Sequence, residues 1–546
     1  MQVMAANDKI KLEFNYNPDI ISQVKRVPGW RFEKNPMSCY WTIPVRSVAV
    51  ALSQRLISEG HLYPSAKNLI NKNRFWGLKK IEIKPYPCRM RAIGPQILLE
   101  ELQQCLYDLC SYEEKLENEF FVNSLANTLY FQGNGLSMEF PNGLYEHIKG
   151  YLESYRFREY IVHPGPPIPQ KTLDLSIHGI SARPYQREAF QRILNGQIKN
   201  RATLVMATGA GKTILSGFIA ANIQVPTVFY TYSLDLLNQT VEVYEQLFQT
   251  EIGKIGGNRF TIKPITVATA QTVYKAWEKQ DSRWDKLREY LNTVQLMFID
   301  EGHMLGAETI FKVAQLTDAY YTYALTATPH REDGKKIFIE AGTGPAVELI
   351  SEKELVQGGY VLPVEVELYR IKHYPSRRKK RYRALYDSEI IDHWERNRAI
   401  VKAVRSHQGK QVLILIQEIE HGKKLSEVLN VPFIHGRTPA KERKETLRQF
   451  KESEIDILVA SSILKQGVDL PEAEVLVLAH GGTSLVDLMQ KIGRVRRPAP
   501  GKEKGIVIDF YDEIAPPDDK DILKAQSQKR LALYRLRGFN VVLHNN

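Results

Sequence analysis

MATGAGKT, at residues 206–213, is the stretch that determines the predicted fold of this 546-residue chain. An apolar segment at residues 203–206 precedes it and a helix-like segment at residues 212–220 follows, which predicts a buried strand, a small-residue loop and a helix. Such a loop points backbone N–H groups and a helix N-terminus at an oxyanion, Lys212 adds a positive charge, and the Thr213 hydroxyl can ligand Mg2+. The sequence therefore predicts a phosphate-binding loop, with nucleotide contacts from Thr208, Gly209, Ala210, Gly211, Lys212 and Thr213.

One position departs from the usual pattern of such loops, because Met206 stands where the first glycine is expected. The alternative interpretation is a turn of small residues between a strand and a helix, with an exposed lysine and no ligand. Partners elsewhere in the chain are needed to choose between the two interpretations.

The composition favours a large soluble protein with a polyanionic partner. The net charge is +12 and the isoelectric point is about 9.2, although charge alone does not establish nucleic-acid binding. Four cysteines, Cys39, Cys88, Cys105 and Cys110, have neither the paired spacing of a metal site nor the density of a disulfide scaffold. We find no signal segment and no apolar run long enough to span a bilayer, so we expect reduced thiols in the cytoplasm.

Apolar strands alternate with helical segments twice along the chain, over residues 175–350 and again over residues 351–515. This alternation predicts two tandem, doubly wound parallel sheets covered by helices, that is, an α/β fold. Only the first repeat contains a phosphate-binding loop.

The remaining segments are predicted to be smaller units. Residues 1–60 and 61–165 each mix strands and helices, including a helix from Pro95 to about Glu114, and read as small α+β accessory domains. Residues 166–174 belong to a Pro-rich linker, and residues 516–546 form a C-terminal helical tail with a short strand.

Acidic residues follow the apolar strand at residues 294–299, where loops at the carboxyl ends of parallel strands carry ligand-binding groups. Asp300 can hold Mg2+ through water, and Glu301 can orient or deprotonate an attacking water. An ordinary surface Asp-Glu pair is the alternative, which the preceding buried strand disfavours. Because His303 lacks partners at metal-site spacing, we expect it to couple the nucleotide to the rest of the protein rather than to bind zinc.

Two further segments offer groups for a nucleotide. Arg183 and Gln186 lie upstream of the loop, and the Gln186 amide can read an adenine edge. Arg494 and Arg497 are spaced by three, so we predict that they share one helix face and reach a γ-phosphate. A merely solvated basic helix face is the alternative for these arginines.

Taken together, these residues resemble the motor core of superfamily 2 helicases of the DExH type, over about residues 180–515. The motifs occur in family order: the Gln186 segment, the loop at 206–213, Asp300-Glu-Gly-His303, Thr326-Ala-Thr328, residues 460–471 and residues 490–497. The resemblance implies two RecA-like domains, with ATP and Mg2+ bound between them.

The same resemblance assigns roles residue by residue. Thr213 and Asp300 would hold the metal, Glu301 would be the base, and Gln490, Arg494 and Arg497 would sense the γ-phosphate. Gly467 and Asp469 would lie near the ribose, and Thr326 and Thr328 would join His303 in coupling. The implied nucleic-acid contacts are Tyr232, Ser233, Thr269, Gln271, Arg331, His435, Gly436, Ser461 and Ser462.

Shorter segments resemble particular branches of the superfamily 2 helicases. Arg331-Glu-Asp333 resembles the RED motif of XPB-like DNA helicases, and residues 477–497 look like UvsW-type phage recombination helicases. Near the N-terminus, Val27-Pro-Gly-Trp30 followed by Trp41 resembles the HARP module. Trp30, Arg31 and Trp41 would then offer a stacking surface to DNA, unless both tryptophans are core residues.

The implied function is an ATP-dependent DNA helicase or translocase that remodels single-stranded, forked or branched DNA, 3′ to 5′, in recombination, repair or replication-fork processing. Two alternatives stay open: an RNA helicase, and an ATP-switched binding or annealing protein that does not unwind. We expect no membrane partner. The sequence leaves protein partners and oligomeric state open, a monomer included, and fits the cytoplasm of a prokaryotic or phage-infected cell.

Overall fold

The computed structural model describes most of the chain from residue 81 onward and parts of the region before it. The described residues are 2–6, 9–13, 21, 24–25, 30–35, 38–44, 61–62, 81–94, 96–109, 111–116, 119–124, 137–154, 160–327, 336–374, 382–461, 473–482, 485–514 and 521–545. The sequence also predicts a helix at residues 45–58 and a short strand near Leu129, and both lie outside the described residues.

The N-terminal unit contains a five-stranded sheet in the order β3-β4-β2-β1-β5. Trp30 packs against Trp41 with ring centroids 5.2 Å apart, and Phe32 packs against Trp41 from 4.9 Å. Both tryptophans are half-buried, so they are neither core residues nor fully exposed. The strands are β1 (Gln2–Ala6), β2 (Lys9–Glu13), β3 (Arg31–Asn35), β4 (Ser38–Pro44) and β5 (His61–Leu62).

The second accessory unit contains a four-stranded sheet, β10-β7-β6-β11, and a separate β8-β9 hairpin. The helix predicted to reach about Glu114 ends at Leu109, because Ser111–Leu116 pairs with the following strand instead. The elements are β6 (Ile81–Pro85), β7 (Arg89–Ile93), α1 (Gln96–Leu109), β8 (Ser111–Leu116), β9 (Glu119–Ser124), β10 (Ser137–Pro141), α2 (Tyr145–Ser154) and β11 (Tyr160–Val162).

An eight-stranded sheet follows, in the order β15-β14-β16-β13-β17-β18-β12-β19, parallel except for the β14-β15 hairpin. Its strands are β12 (Arg201–Met206), β13 (Thr227–Thr231), β14 (Gly253–Gly256), β15 (Arg259–Thr261), β16 (Ile265–Thr269), β17 (Leu296–Asp300), β18 (Tyr321–Thr326) and β19 (Ala346–Ile350). The accompanying helices are α3 (Pro184–Leu194), α4 (Lys212–Ile223), α5 (Leu234–Phe248), α6 (Ala270–Lys279), α7 (Ser282–Thr293), α8 (Glu308–Leu316) and α9 (Lys336–Thr343).

The second accessory unit and the eight-stranded domain share one hydrophobic core. Buried side chains from both, Phe140 and Phe311 among them, belong to a single continuous cluster. Polar contacts reinforce this packing, since His147 Nε2 lies 2.8 Å from Glu340 Oε2. The predicted linker lies in the stretch from residue 163 to 183, which has no regular structure. That stretch joins two units that already pack directly on each other.

The last sheet has seven strands, all parallel, in the order β22-β23-β21-β24-β25-β20-β26. Its strands are β20 (Val364–His373), β21 (Val412–Leu415), β22 (Phe433–Ile434), β23 (Ile457–Ala460), β24 (Val475–Leu478), β25 (Gly505–Ile514) and β26 (Asn540–Asn545). The helices are α10 (Glu352–Gln357), α11 (Tyr382–Tyr386), α12 (Trp394–Arg405), α13 (Ile419–Leu429), α14 (Ala440–Lys451), α15 (Leu485–Ile492) and α16 (Ile522–Leu536). The short strand predicted in the tail is β26, which pairs with β20 and extends the sheet.

A buried charged network joins the end of β20 to its neighbours. His373 Nε2 lies 3.0 Å from Asp512 Oδ1, and His373 Nδ1 lies 3.3 Å from Glu389 Oε2. Arg396 Nε donates to Asp512 Oδ1 at 2.9 Å. Although His393 is adjacent, its Nδ1 accepts from the Arg396 N–H, so the ring proton occupies Nε2 and blocks metal ligation there. His373, Glu389 and His393 lie close enough together to hold a metal ion. Because of the His393 proton, we interpret these residues, with Asp512 and Arg396, as an ion-pair network instead.

The two tandem parallel-sheet domains confirm the predicted fold class. The domain boundaries drawn from the sequence remain predictions. Among the helices that the structure describes, none combines the length and the apolar character needed to cross a membrane.

Candidate nucleotide site

The phosphate-binding loop has the backbone that its small residues allow. Gly209 and Gly211 have φ angles of 89° and 74°, in the left-handed region that favours glycine, and α4 begins directly after Gly211. The N-terminal N–H groups of α4 therefore face the loop, as anion binding requires. Met206 is fully buried in the core at the end of β12, which explains why an apolar residue is accommodated there.

Gln186 binds the loop itself. Its Nε2 donates to the carbonyl oxygens of Ala210 and Gly211 at 3.1 and 3.3 Å, while its Oε1 accepts from the Arg183 N–H at 3.0 Å. The side chain is only 2% exposed. The prediction that Gln186 reads an adenine edge is thus not matched by the structure, because the amide is already used to position the loop.

Tyr185 and Arg183 complete this support. The Tyr185 hydroxyl donates to the Ala210 carbonyl at 2.6 Å and accepts from Arg183 Nη1 at 3.1 Å. The Arg183 guanidinium also lies over the Tyr360 ring, 5.1 Å from its centroid. Sequence reasoning missed Tyr185, although its position beside Gln186 was a usable signal.

The acidic pair lies directly beneath the loop. Lys212 Nζ is 3.3 Å from Glu301 Oε1, and the Glu301 N–H donates to Asp300 Oδ1 at 2.9 Å. Glu301 has a φ of 50°, a strained conformation for a side chain of this size. Its other oxygen lies 3.3 Å from His303 Nδ1, so the carboxylate contacts both Lys212 and His303.

The electrostatics of this group suit a hard cation. Burial and the neighbouring charge of Glu301 raise the pKa of Asp300 to about 6, against the opposing effect of Lys212. Burial alone lowers the pKa of Lys212, but Glu301 and Asp300 more than offset it, so this pKa is raised. Two carboxylates with one nearby ammonium form an oxygen donor set that fits Mg2+, together with the half-buried Thr213 hydroxyl.

Residues of the seven-stranded domain reach the loop at Gly493. A Cβ atom added there would overlap the Thr208 side chain, so the two domains touch at this point. Helix α15 ends at Ile492 and a short 3-10 turn, Gly493–Val495, carries Arg494. The prediction that Arg494 and Arg497 share one helix face is therefore wrong, because the helix has ended before either residue.

Arg494 and Arg497 nevertheless follow directly after the contact with the loop. Arg494 is half-buried and Arg497 is exposed. Gln490 lies in the last turn of α15, two residues before the helix ends. All three predicted phosphate sensors thus lie within four residues of Gly493 along the chain.

Arg496 is a buried residue that the sequence did not distinguish from its neighbours. It is 1% exposed and pairs with Glu352 of α10, and its Nε donates to the Leu362 carbonyl at 3.3 Å. Burial, together with the positive charge of Arg537, lowers the pKa of Arg496 to about 10. Arg496 therefore ties the turn after α15 to the segment between the two sheets.

The predicted nucleic-acid residues lie at the carboxyl ends of strands. Tyr232 and Ser233 follow β13 and Gln271 follows β16, next to each other because Thr231 and Thr269 are register partners. The buried Thr269 bonds to Thr272, and the Ser233 hydroxyl caps α5. In the second sheet, His435 and Gly436 follow β22 and the buried Ser461 follows β23.

Buried Thr326 ends β18, next to β17 in the sheet. The residues that lie outside the described part of the chain are Thr328, Arg331, Ser462, Gly467 and Asp469.

Two family models match the chain. One is described as Type III restriction enzyme, res subunit, and matches residues 179–331; the other is described as Helicase conserved C-terminal domain and matches residues 395–499. The first range contains the loop and Asp300, and the second contains Arg494 and Arg497.

Curated relatives match across both domains. The DNA 3'-5' helicase XPB of Kineococcus radiotolerans is 30% identical over 342 residues, which cover 60% of this chain and 59% of that protein. The DNA 3'-5' translocase XPB2 of Sulfurisphaera tokodaii is 26% identical over 421 residues, 67% of this chain and 93% of that protein. This chain thus spans less than two thirds of the first relative's length.

Among solved structures, the crystal structure of T4 UvsW matches over 86% of this chain and 99% of that chain. The two are 19% identical and superpose with a TM-score of 0.35.

Proposed function

We propose that this chain is an ATP-dependent motor of the XPB-like branch of the superfamily 2 helicases and that it unwinds or remodels DNA. One observation carries the proposal. The loop with Lys212, the carboxylates of Asp300 and Glu301, and the arginine-bearing turn at Gly493 converge from two domains on one place. A phosphoryl-transfer site needs these three kinds of group.

Each group has a role that its surroundings support. Lys212 and the loop N–H groups would bind the β- and γ-phosphates, and Thr213 and Asp300 would hold Mg2+. The metal would neutralise developing charge on the phosphoryl oxygens. Glu301 Oε1 lies 3.3 Å from Lys212 Nζ. When a phosphate takes the place of this carboxylate beside Lys212, Glu301 would be free to orient and deprotonate the attacking water.

The second domain would make hydrolysis depend on closure. Arg494 and Arg497 would reach the γ-phosphate from the turn at Gly493, with Gln490 from the last turn of α15. Since these groups come from the opposite domain, they act only when the two domains are together.

Movement on DNA would follow from alternating closure and opening. Each parallel sheet carries predicted contacts with nucleic acid at its carboxyl edge. These are Thr269 and Gln271 on the first sheet and His435 and Ser461 on the second. Closure would bring these two surfaces together and opening would separate them along the phosphate backbone. We propose 3′ to 5′ polarity, because the names of both curated relatives state it.

The finer assignments belong to this proposal as well. Forked or branched DNA, with branch migration in recombination or repair, is the substrate class we propose, in the cytoplasm of a prokaryotic or phage-infected cell. The net charge of +12 supports a polyanionic partner but not a particular DNA form.

The test is ATP hydrolysis by the full chain with single-stranded DNA, matched RNA and no polymer. We expect DNA to stimulate hydrolysis, and Lys212→Ala and Glu301→Gln to lower the stimulated rate at least 100-fold. Exposed Glu289 gives a matched control, since Glu289→Gln should behave like wild type. Survival of hydrolysis in either site variant would show the active site to be misassigned.

Strand displacement on a forked duplex separates the alternatives. Displacement coupled to hydrolysis supports the DNA helicase. Stronger stimulation by RNA than by DNA would favour an RNA helicase. Nucleotide binding that alters DNA affinity without hydrolysis would favour an ATP-switched annealing protein.

A further inference from the structure

A basic, aromatic pocket lies between β20 and α12 in the seven-stranded domain, with a volume of about 760 Å³. We call it the β20 pocket, defined by Arg370, Lys372, Tyr374, Trp394, Arg398 and Lys402. None of these residues is among the predicted contacts for ATP or nucleic acid.

Two large aromatic side chains stand open to solvent in this pocket. Tyr374 is 68% exposed and Trp394 is 67% exposed. The Arg398 guanidinium lies over the Trp394 ring, 5.2 Å from its centroid. Exposed aromatic faces next to cations are the arrangement on which unpaired bases stack in single-strand-binding proteins.

The cations of the pocket have little competition from protein carboxylates. Within the part of the chain that the structure describes, no ion pair involves Lys372, Arg398 or Lys402, whereas Arg370 is paired with Glu513 at 2.6 Å. Glu395 is the acidic residue of the lining. Three cations are thus available to phosphates.

The side chains are also aligned. Trp394, Arg398 and Lys402 are spaced by four residues, so they form one stripe along α12 about 12 Å long. Arg370 and Lys372 alternate along β20 and therefore face the same side. A stripe with an aromatic ring at one end and cations along it matches a nucleic-acid backbone better than a small ligand.

The β20 pocket lies at the carboxyl edge of the seven-stranded sheet, where the nucleic-acid contacts are predicted. All seven strands are parallel, so the carboxyl end of β20 lies at the same edge as His435 after β22 and Ser461 after β23. The edge predicted to hold a DNA strand therefore continues to Tyr374 and Trp394.

We propose that the β20 pocket binds unpaired DNA nucleotides, with a base stacked on Trp394 and phosphates beside Lys372, Arg398 and Lys402. The inference deepens the proposed function and depends on it for the identity of the polymer. Unpaired nucleotides are specified because a duplex keeps its bases stacked inside and offers no free base face to Trp394.

The experiment compares full-chain variants by fluorescence anisotropy with a labelled oligothymidine and with a blunt duplex. We expect Trp394→Ala to weaken oligothymidine binding about 10-fold, within the range for loss of one stacked base, and to leave duplex binding within about twofold. The paired change Arg398→Ala with Lys402→Ala should lower the slope of log affinity against log salt by about 1.4. Arg405→Ala, exposed on the same helix but outside the pocket, is the control.

Unchanged oligothymidine binding by Trp394→Ala would overturn the proposal that the β20 pocket binds nucleotides. Equal losses of affinity for oligothymidine and for duplex would overturn it as well. Equal losses from Arg405→Ala would do the same, because they would indicate charge alone. ATP hydrolysis without DNA should match wild type in every variant, which shows that the fold is intact. If wild-type hydrolysis is not stimulated by DNA, the proposed function fails, while the binding comparison still tests the pocket.

Discussion

Gly493, in the turn after α15, lies against the side chain of Thr208 in the phosphate-binding loop, so closely that a Cβ atom at position 493 would overlap the Thr208 methyl group. The two parallel-sheet domains therefore touch at the place where phosphate is expected. A side chain at position 493 would require the Thr208 side chain to rotate away or the two domains to move apart.

Gly493→Ala should consequently impair closure of the cleft. We expect DNA-stimulated ATP hydrolysis to fall at least 10-fold, because Arg494 and Arg497 would be displaced from the γ-phosphate position proposed for them. Steady-state hydrolysis measures the effect. Adding Thr208→Ser removes the overlapping methyl and keeps the hydroxyl, so the double variant should regain much of the activity.

The control for this pair is Gly150→Ala in α2, where an added Cβ meets nothing within 4 Å. It should leave hydrolysis unchanged. A double variant as inactive as Gly493→Ala would show that contact with Thr208 is not the cause.

Gln186→Ala should weaken the binding of all nucleotides alike. The side chain holds the carbonyls of Ala210 and Gly211, and loss of two such hydrogen bonds costs about 1–2 kcal/mol, or roughly 10-fold in affinity. Titration with fluorescent ATP and GTP analogues measures this. Gln191→Ala, exposed on the same helix, should have no effect. A loss confined to ATP would instead support adenine reading.

Arg496 and Arg497 should give opposite results although they are adjacent. Arg496→Ala removes one of the two arginines that pair with the largely buried Glu352, the other being Arg537, so we expect the free energy of unfolding to fall by about 1–3 kcal/mol. Arg497→Ala, at an exposed position, should change stability by less than about 0.5 kcal/mol and yet lower hydrolysis about 1000-fold. Thermal unfolding and hydrolysis rates, measured on both variants, test these expectations. Equal loss of stability in the two variants would contradict a structural role for Arg496 and a catalytic role for Arg497.

His373 should make stability fall at alkaline pH. Burial and the charge of Arg396 disfavour its protonated form, but Asp512 and Glu389 prevail and raise the pKa of His373 above its ordinary value, with His393 adjacent. A raised pKa gives a stabilisation that is complete below about pH 6.5 and is lost as pH rises through the folded value. Urea unfolding from pH 6 to 9 should show this loss.

In His373→Asn, the difference in stability between these pH values should shrink. His178→Asn, at an exposed position, should keep the wild-type dependence. A His373→Asn protein with an unaltered pH profile would refute the role of this network.

The sequence predicted the elements whose periodicity is local. Buried parallel strands are apolar throughout, so both sheets could be identified, and the loop at residues 206–213 and the acidic pair at the end of β17 followed from strand ends. The family match agrees with this interpretation of the fold.

Other features depend on contacts between distant segments, which one sequence does not encode visibly. Arg494, Arg496 and Arg497 look alike in the chain, and only the end of α15 decides that Arg496 is buried against Glu352. Likewise, the segment at Ser111–Leu116 has residues compatible with a helix, and pairing with β9 makes it a strand. Gln186 was assigned to a ligand because its protein partners lie in the loop 24 residues onward.

The order of strands in the seven-stranded sheet has a consequence for biosynthesis. β20 lies between β25 and β26, the two strands of this domain that leave the ribosome last, and Glu365 contacts Asn540 across 175 positions. Both edges of this ten-residue strand stay unpaired until residues 505–514 emerge, and the edge that pairs with β26 stays open to other chains until residues 540–545 emerge. The nascent protein is therefore prone to aggregation until β26 is made. A chain that stalls or is cleaved before residue 540 keeps one edge of β20 exposed.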